Sequence, residues 1–152
     1  MKKTYALLFI TLLGLSLYSC KKDSSEQNTN KIIGEWRVDY RVFEFYGGAK
    51  LMDTYTKKYD MTNPEYVILN EDGTGSFKAS GEVNTKFNYT ISNAAINGTN
   101  ASQLSNGKWY PLNDFKYTII TSKANELFYW TEGPVASPSF YDKYITRVHL
   151  VK

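Results

Sequence analysis

The chain reads as all-β, eight antiparallel strands closing into an up-and-down barrel, and three observations lead there. From residue 35 onward apolar and polar residues alternate with period two. No stretch sustains the i, i+3, i+4, i+7 apolar stripe of an amphipathic helix. Turn signals such as Gly47-Gly48 and Asp72-Gly73 divide the alternating runs at short intervals, and such connections suit antiparallel neighbours rather than parallel crossovers. An eight-stranded meander closes around a space wide enough for side chains or one small ligand.

In order along the chain, Trp36, Val38, Tyr40 and Val42 fall on one face of a first strand, with Arg37, Asp39 and Arg41 on the other. Phe43 and Phe45 then take over the apolar role, a phase reversal that predicts a bulge or bend. After Gly47-Gly48, residues 50–60 read as a second, more polar strand. Residues 66–69 and 75–77 flank a hairpin in which Asp72-Gly73 supplies the positive φ angles. Phe87, Tyr89 and Ile91 alternate with Lys86, Asn88 and Thr90 on a half-buried strand, and residues 94–97 extend the pairing. Residues 97–113, rich in Gly, Asn and Ser, read as a long connection carrying Trp109-Tyr110-Pro111. Residues 115–121, 126–131 and 144–151 are the last three strands, with a second long loop at 132–139 holding Pro134 and Pro138.

The N-terminus carries an address. Lys2-Lys3 precedes a mostly apolar run of thirteen residues, 5–17, and then Leu17-Tyr18-Ser19-Cys20. Thirteen residues are short of the roughly 20 that span a bilayer, and the order matches a secretory signal peptide. Ending on the only cysteine of the chain, it resembles the lipobox of bacterial lipoproteins. That resemblance implies cleavage before Cys20, a diacylglyceryl thioether and an N-terminal acyl group such as palmitate. It points to a Gram-negative outer-membrane lipoprotein, on the periplasmic face or the cell surface. An ordinary secretory signal with an incidental Cys20 is the alternative. Residues 1–19 are then the signal peptide, 20–30 the lipidated Cys and a polar tether too hydrophilic to fold, and 31–152 one barrel domain. Loss of Lys2 and Lys3 leaves 16 basic and 15 acidic side chains, a net +1. With those charges interspersed there is no electrostatic footprint for nucleic acid.

Gly34-Glu35-Trp36, opening the first strand, resembles the Gly-x-Trp signature of lipocalins. The hairpin 67–77, with Asn70-Glu71-Asp72-Gly73-Thr74 at its turn, is similar to that of bacterial lipocalin-like lipoproteins, and the last strands continue the pattern through Arg147. The resemblance covers nearly all of 32–152, although no helical segment precedes the last strand as in larger lipocalins. It implies that Trp36 plugs the closed end of the barrel and that Arg147 packs on it through a cation–π contact.

Candidate sites follow from residue types. His149 is the only histidine, so no nucleophile–His pair of the usual kind can be assembled, and His149 has no neighbouring metal-ligand partner in the sequence. The carboxylate pairs read as strand surface and turn chemistry. The expectation is a protein that is not an enzyme and uses neither metal nor cofactor. Aromatics are the stronger clue: 3 Trp, 13 Tyr and 8 Phe in 152 residues. Strand propensity and core filling account for most of them. Trp109, Tyr110, Tyr129 and Trp130 cluster beside the two long loops and are the candidate ligand-binding residues at a barrel mouth. Tyr40, Phe87 and Tyr89 are read as interior wall. The first reading is a binding module for a small apolar or amphipathic molecule. The alternatives are a protein-interaction or inhibitor module with a packed interior, or a glycan-binding accessory lipoprotein. A ligand binder should leave a cavity of about 300 Å³ or more, whereas Trp36, Phe87, Tyr89, Ile91, Tyr117 and Ile119 argue for a crowded interior.

Overall fold

A computed structural model describes residues 32–92, 94–134 and 141–152. Residues 1–31, which hold the expected signal peptide, Cys20 and the expected tether, lie outside the described residues, as does most of the 132–139 loop. Ten strands form one antiparallel sheet: β1 (Gly34–Gly47), β2 (Lys50–Lys58), β3 (Glu65–Leu69), β4 (Thr74–Ala79), β5 (Glu82–Ser92), β6 (Ala95–Ser105), β7 (Lys108–Pro111), β8 (Phe115–Lys123), β9 (Glu126–Pro134) and β10 (Lys143–Val151). β1 pairs with β10, closing the sheet into a barrel.

Ten strands occupy eight positions because two positions are each shared by two strands. β3 pairs with Gly34–Arg37 of β1, and β2 pairs further along the same edge from Tyr40 to Gly47. In the same way β8 pairs with the first part of β6 and β7 with its last four residues. The expected count of eight therefore holds through two offsetting differences. Residues 50–60 and 66–69 share one position instead of filling two, and the stretch read as a connection, 97–113, contains most of β6 and all of β7. Its Asn, Ser and Gly residues have weak strand propensity. Small residues are nonetheless what β6 needs here. Gly98 lies against the Phe115 ring, where a Cβ would collide, and Ala101 is buried beside it in the core. Contact across the barrel, not local preference, makes β6 a strand.

The phase reversal in β1 is real but falls earlier than the sequence suggests. Val38 faces Leu150 and Tyr40 faces His149, so Asp39 is an extra residue in the β1–β10 ladder. One inserted residue sends every later side chain to the opposite face. Trp36 and Val38 point inward and are fully buried. Beyond the bulge Arg41 and Phe43 line the lumen. Tyr40, expected on the interior wall, stands outside and stacks on His149 with ring centroids 4.7 Å apart. Phe87 and Tyr89 are interior as expected.

The base of the barrel is solid. Trp36 is 0% exposed, and its indole N–H donates to the Ile32 carbonyl at 2.7 Å. Val38, Val67, Leu69, Ile96, Leu127 and Leu150 pack around it. Gly34, two residues earlier, has a φ of +127°, a conformation that residues with a side chain rarely adopt. The cation over Trp36 is Lys152, whose Nζ lies 4.6 Å from the ring centroid. Arg147 does not take that role. It lies on the outer wall, donating from Nε and Nη2 to Glu44 at 2.9 and 3.1 Å. At the bottom turn Gly73 alone takes positive φ, while Asp72 accepts from the Thr74 N–H and hydroxyl at 2.9 and 2.6 Å.

Trp36→Ala is expected to cost about 3–5 kcal/mol, a large-to-small change in a fully packed site. Urea denaturation checks this, and a loss under about 1 kcal/mol would mean that Trp36 does not hold the base together.

Candidate functional site

Above the base, inward-facing rings from four strands touch one another. Phe77 on β4 lies 5.1 Å from Phe87 on β5, and Phe87 lies 5.1 Å from Phe115 on β8. Tyr117 stacks on Tyr129 at 4.6 Å with planes 18° apart. These centroid spacings lie in the range of favourable aromatic pairs. The rings form a floor, and over it lies a cavity of 230 Å³ walled by Arg41 and Phe43 of β1, Phe77, Tyr117 and Tyr129, and Thr131, Tyr144 and Thr146 of β9 and β10. A second hollow of 290 Å³ shares Arg41 and Phe77 and adds Glu65, Thr85 and Gln103. Each alone falls just short of the roughly 300 Å³ usual for a ligand pocket. The interior is thus crowded at the base, as the sequence suggests, and hollow toward the open end.

The cavity is apolar with a charged margin. Burial pushes the Tyr117 hydroxyl up to about 12 and drives that of Tyr129 higher still. Both stay neutral in ordinary solution, serving as hydrogen-bonding groups on an apolar wall rather than as bases. The Arg41 guanidinium lies 2.7 Å from Glu65, and the Lys57 ammonium lies 3.8 Å from the same carboxylate. Tyr59 presents its ring to both cations, at 5.3 and 4.5 Å.

No family model, curated protein or solved structure matches this chain. The barrel is compatible with a lipocalin-like fold, and the site rests on its own geometry.

Of the four candidate residues at the mouth, Tyr129 is buried in the lumen wall, 2% exposed. Trp130 is turned outward on β9, opposite Arg147, and borders a 320 Å³ groove on the outer wall with Asp114, Lys116 and Glu132. Trp109 is exposed and faces outward, with the Lys86 ammonium 4.7 Å over its ring. Tyr110 pairs with Gln103, whose other neighbour is buried Thr85, so it stands on the lumen side of the rim. The four therefore do not form one mouth. Alternation along neighbouring strands separates Trp109 from Tyr110 and Tyr129 from Trp130. A further groove of 350 Å³ is also on the outer wall and is lined mainly by Asn, Ser, Thr and Lys side chains.

His149 lies outside as well, with Nδ1 3.0 Å from Asp39 and Nε2 3.3 Å from Glu126. Among the described residues no group of three or more His, Cys, Asp or Glu could hold a metal ion. Sequence reasoning missed Arg41, Phe43 and Glu65 as lumen residues. The available signal was parity: Arg41, Phe43 and Phe45 share one alternation, which fixes Arg41 to the inner face once Phe43 is placed there.

Proposed function

We propose that this protein is a membrane-anchored, lipocalin-like lipoprotein that holds a small apolar or amphipathic molecule in the upper half of its barrel. The observation that carries this reading is the hollow above the aromatic floor. Rings provide contact area without charge, and a few hydroxyls with one guanidinium provide orientation, which is the usual composition of a small-molecule pocket. The solid base around Trp36 makes the site open at one end. Binding rather than catalysis is favoured because the only histidine is on the outer wall between two carboxylates, away from the hollow. The signal-like N-terminus and Cys20 support lipidation and an outer-membrane location, with the bilayer as partner through the acyl chains; two or more chains anchor stably.

A second reading, protein interaction, has its own observation. Every residue of β2 is exposed, including Leu51, Met52 and Tyr55, and β2 pairs only with β1 among the described residues. Such a free edge can accept a strand from a partner. The glycan-binding reading is weaker, since Lys86 already covers one face of Trp109.

The lumen reading is tested with 2-naphthylmethanol, a neutral amphipath small enough for the hollow. For about a dozen heavy atoms, ordinary ligand efficiency gives a Kd of about 0.1–1 mM. Thr131→Trp fills the cavity and should weaken binding at least tenfold with little change in melting temperature; undiminished binding by a folded variant rules out the lumen. Separately, Cys20→Ser should move the protein from the membrane fraction to the soluble fraction. Continued membrane attachment would contradict lipidation at Cys20.

A further inference from the structure

Among the described residues Arg41 is the only charged one in the wall of the 230 Å³ cavity, and the same side chain borders the adjoining hollow beside Glu65. Glu65 is in turn shared by Arg41 at 2.7 Å and Lys57 at 3.8 Å. Among the described residues, two cations facing one carboxylate leave this margin of the lumen with more positive than negative charge, and Lys78 also borders the adjoining hollow. The other polar groups on the cavity wall are Tyr and Thr hydroxyls, which donate or accept without charge. Arg41 and Glu65 are both largely buried, with side chains 27% and 23% exposed, whereas Lys57 is 48% exposed. A guanidinium in that setting has geometry suited to a forked pair with a carboxylate. The Tyr59 ring below both cations holds them at the margin without neutralising either.

Resting on the reading of the lumen as the binding site, we infer that the lumen is selective for a small monoanion, an aromatic or alicyclic carboxylate. Its ring lies against Phe43, Tyr117 and Tyr129, and its carboxylate is taken by Arg41 with Lys57. The volume sets the size. A space of 230 Å³ is that of about eight liquid waters at roughly 30 Å³ each, so a one- or two-ring body fits and a long acyl chain does not. Glu65 competes with the ligand for Arg41, and the incoming carboxylate displaces part of that ion pair. Anion affinity is therefore held down by Glu65 and rises when Glu65 loses its charge.

The test is a titration of the full protein, at neutral pH and low salt, with 2-naphthoate and with 2-naphthylmethanol, which share a ring system and differ in charge. The expected result is 2-naphthoate binding at least tenfold more tightly, the difference a charge-assisted hydrogen bond supplies. Arg41→Gln should abolish that preference by bringing 2-naphthoate down to about the affinity of the alcohol. Glu65→Gln should tighten 2-naphthoate several-fold without affecting the alcohol. Should Arg41→Gln fail to fold, Lys57→Gln, at a half-exposed side chain, is expected to weaken 2-naphthoate alone. Equal affinity for acid and alcohol in the unmodified protein overturns the anion selectivity and leaves the lumen as a site. Binding of neither overturns both.

Discussion

One extra residue in the β1–β10 ladder divides this barrel into two functional halves. Before Asp39, β1 turns Trp36 and Val38 inward and the interior is solid. After it, the same strand turns Arg41 and Phe43 inward and the interior is hollow with a charged margin. A strand without the bulge would keep the parity of Trp36 and place Tyr40 and Val42 in the lumen. Arg41 would then face solvent, and Glu65 would lose the nearer of its two cations. The base and the site are thus consequences of one register shift.

The outer face of the same seam carries the polar contacts that hold the shift in place. Asp39, the inserted residue, reaches His149 on β10, and His149 reaches Glu126 on β9 while stacking on Tyr40. Higher up, Glu44 accepts the Arg147 fork and the Tyr46 hydroxyl. The Arg147 hydrogen bond holds the Glu44 carboxyl below its ordinary range against the opposing effect of burial. This contribution to stability is fully present above the ordinary carboxylate value and is lost as pH falls through the lowered one. Residues with no role in the lumen thereby help to fix which residues face it.

The fold class was legible because alternation and turn chemistry are local. The existence of β5 and β9, the bounds of β10, the hairpin at Asp72-Gly73 and the burial of Trp36 follow from residues within a few positions of one another. β6 was not legible. Its inward residues Ile96, Gly98 and Ala101 are chosen by the Phe115 ring and the opposite wall, and local propensity points away from a strand. The bulge was only partly legible. The sequence shows that parity reverses, but pairing with β10 decides where, and nothing around Asp39 marks the position. Because the site depends on that position, Tyr40 was placed inside and Arg41 outside, the reverse of what the register requires. Arg147, midway along the final strand, and Lys152, just past it, illustrate the same limit, since only the closed seam shows which cation meets Trp36.

The account stands most directly on whether the hollow half is occupied in the cell. Mass spectrometry of the intact protein isolated from its source cells, under native and then denaturing conditions, decides this. A small-molecule adduct present natively, lost on denaturation and absent from the Thr131→Trp variant is the predicted result. A bare protein mass under native conditions, both as isolated and after incubation with an extract of the same cells, would contradict a ligand-holding lumen and shift attention to the free edge of β2.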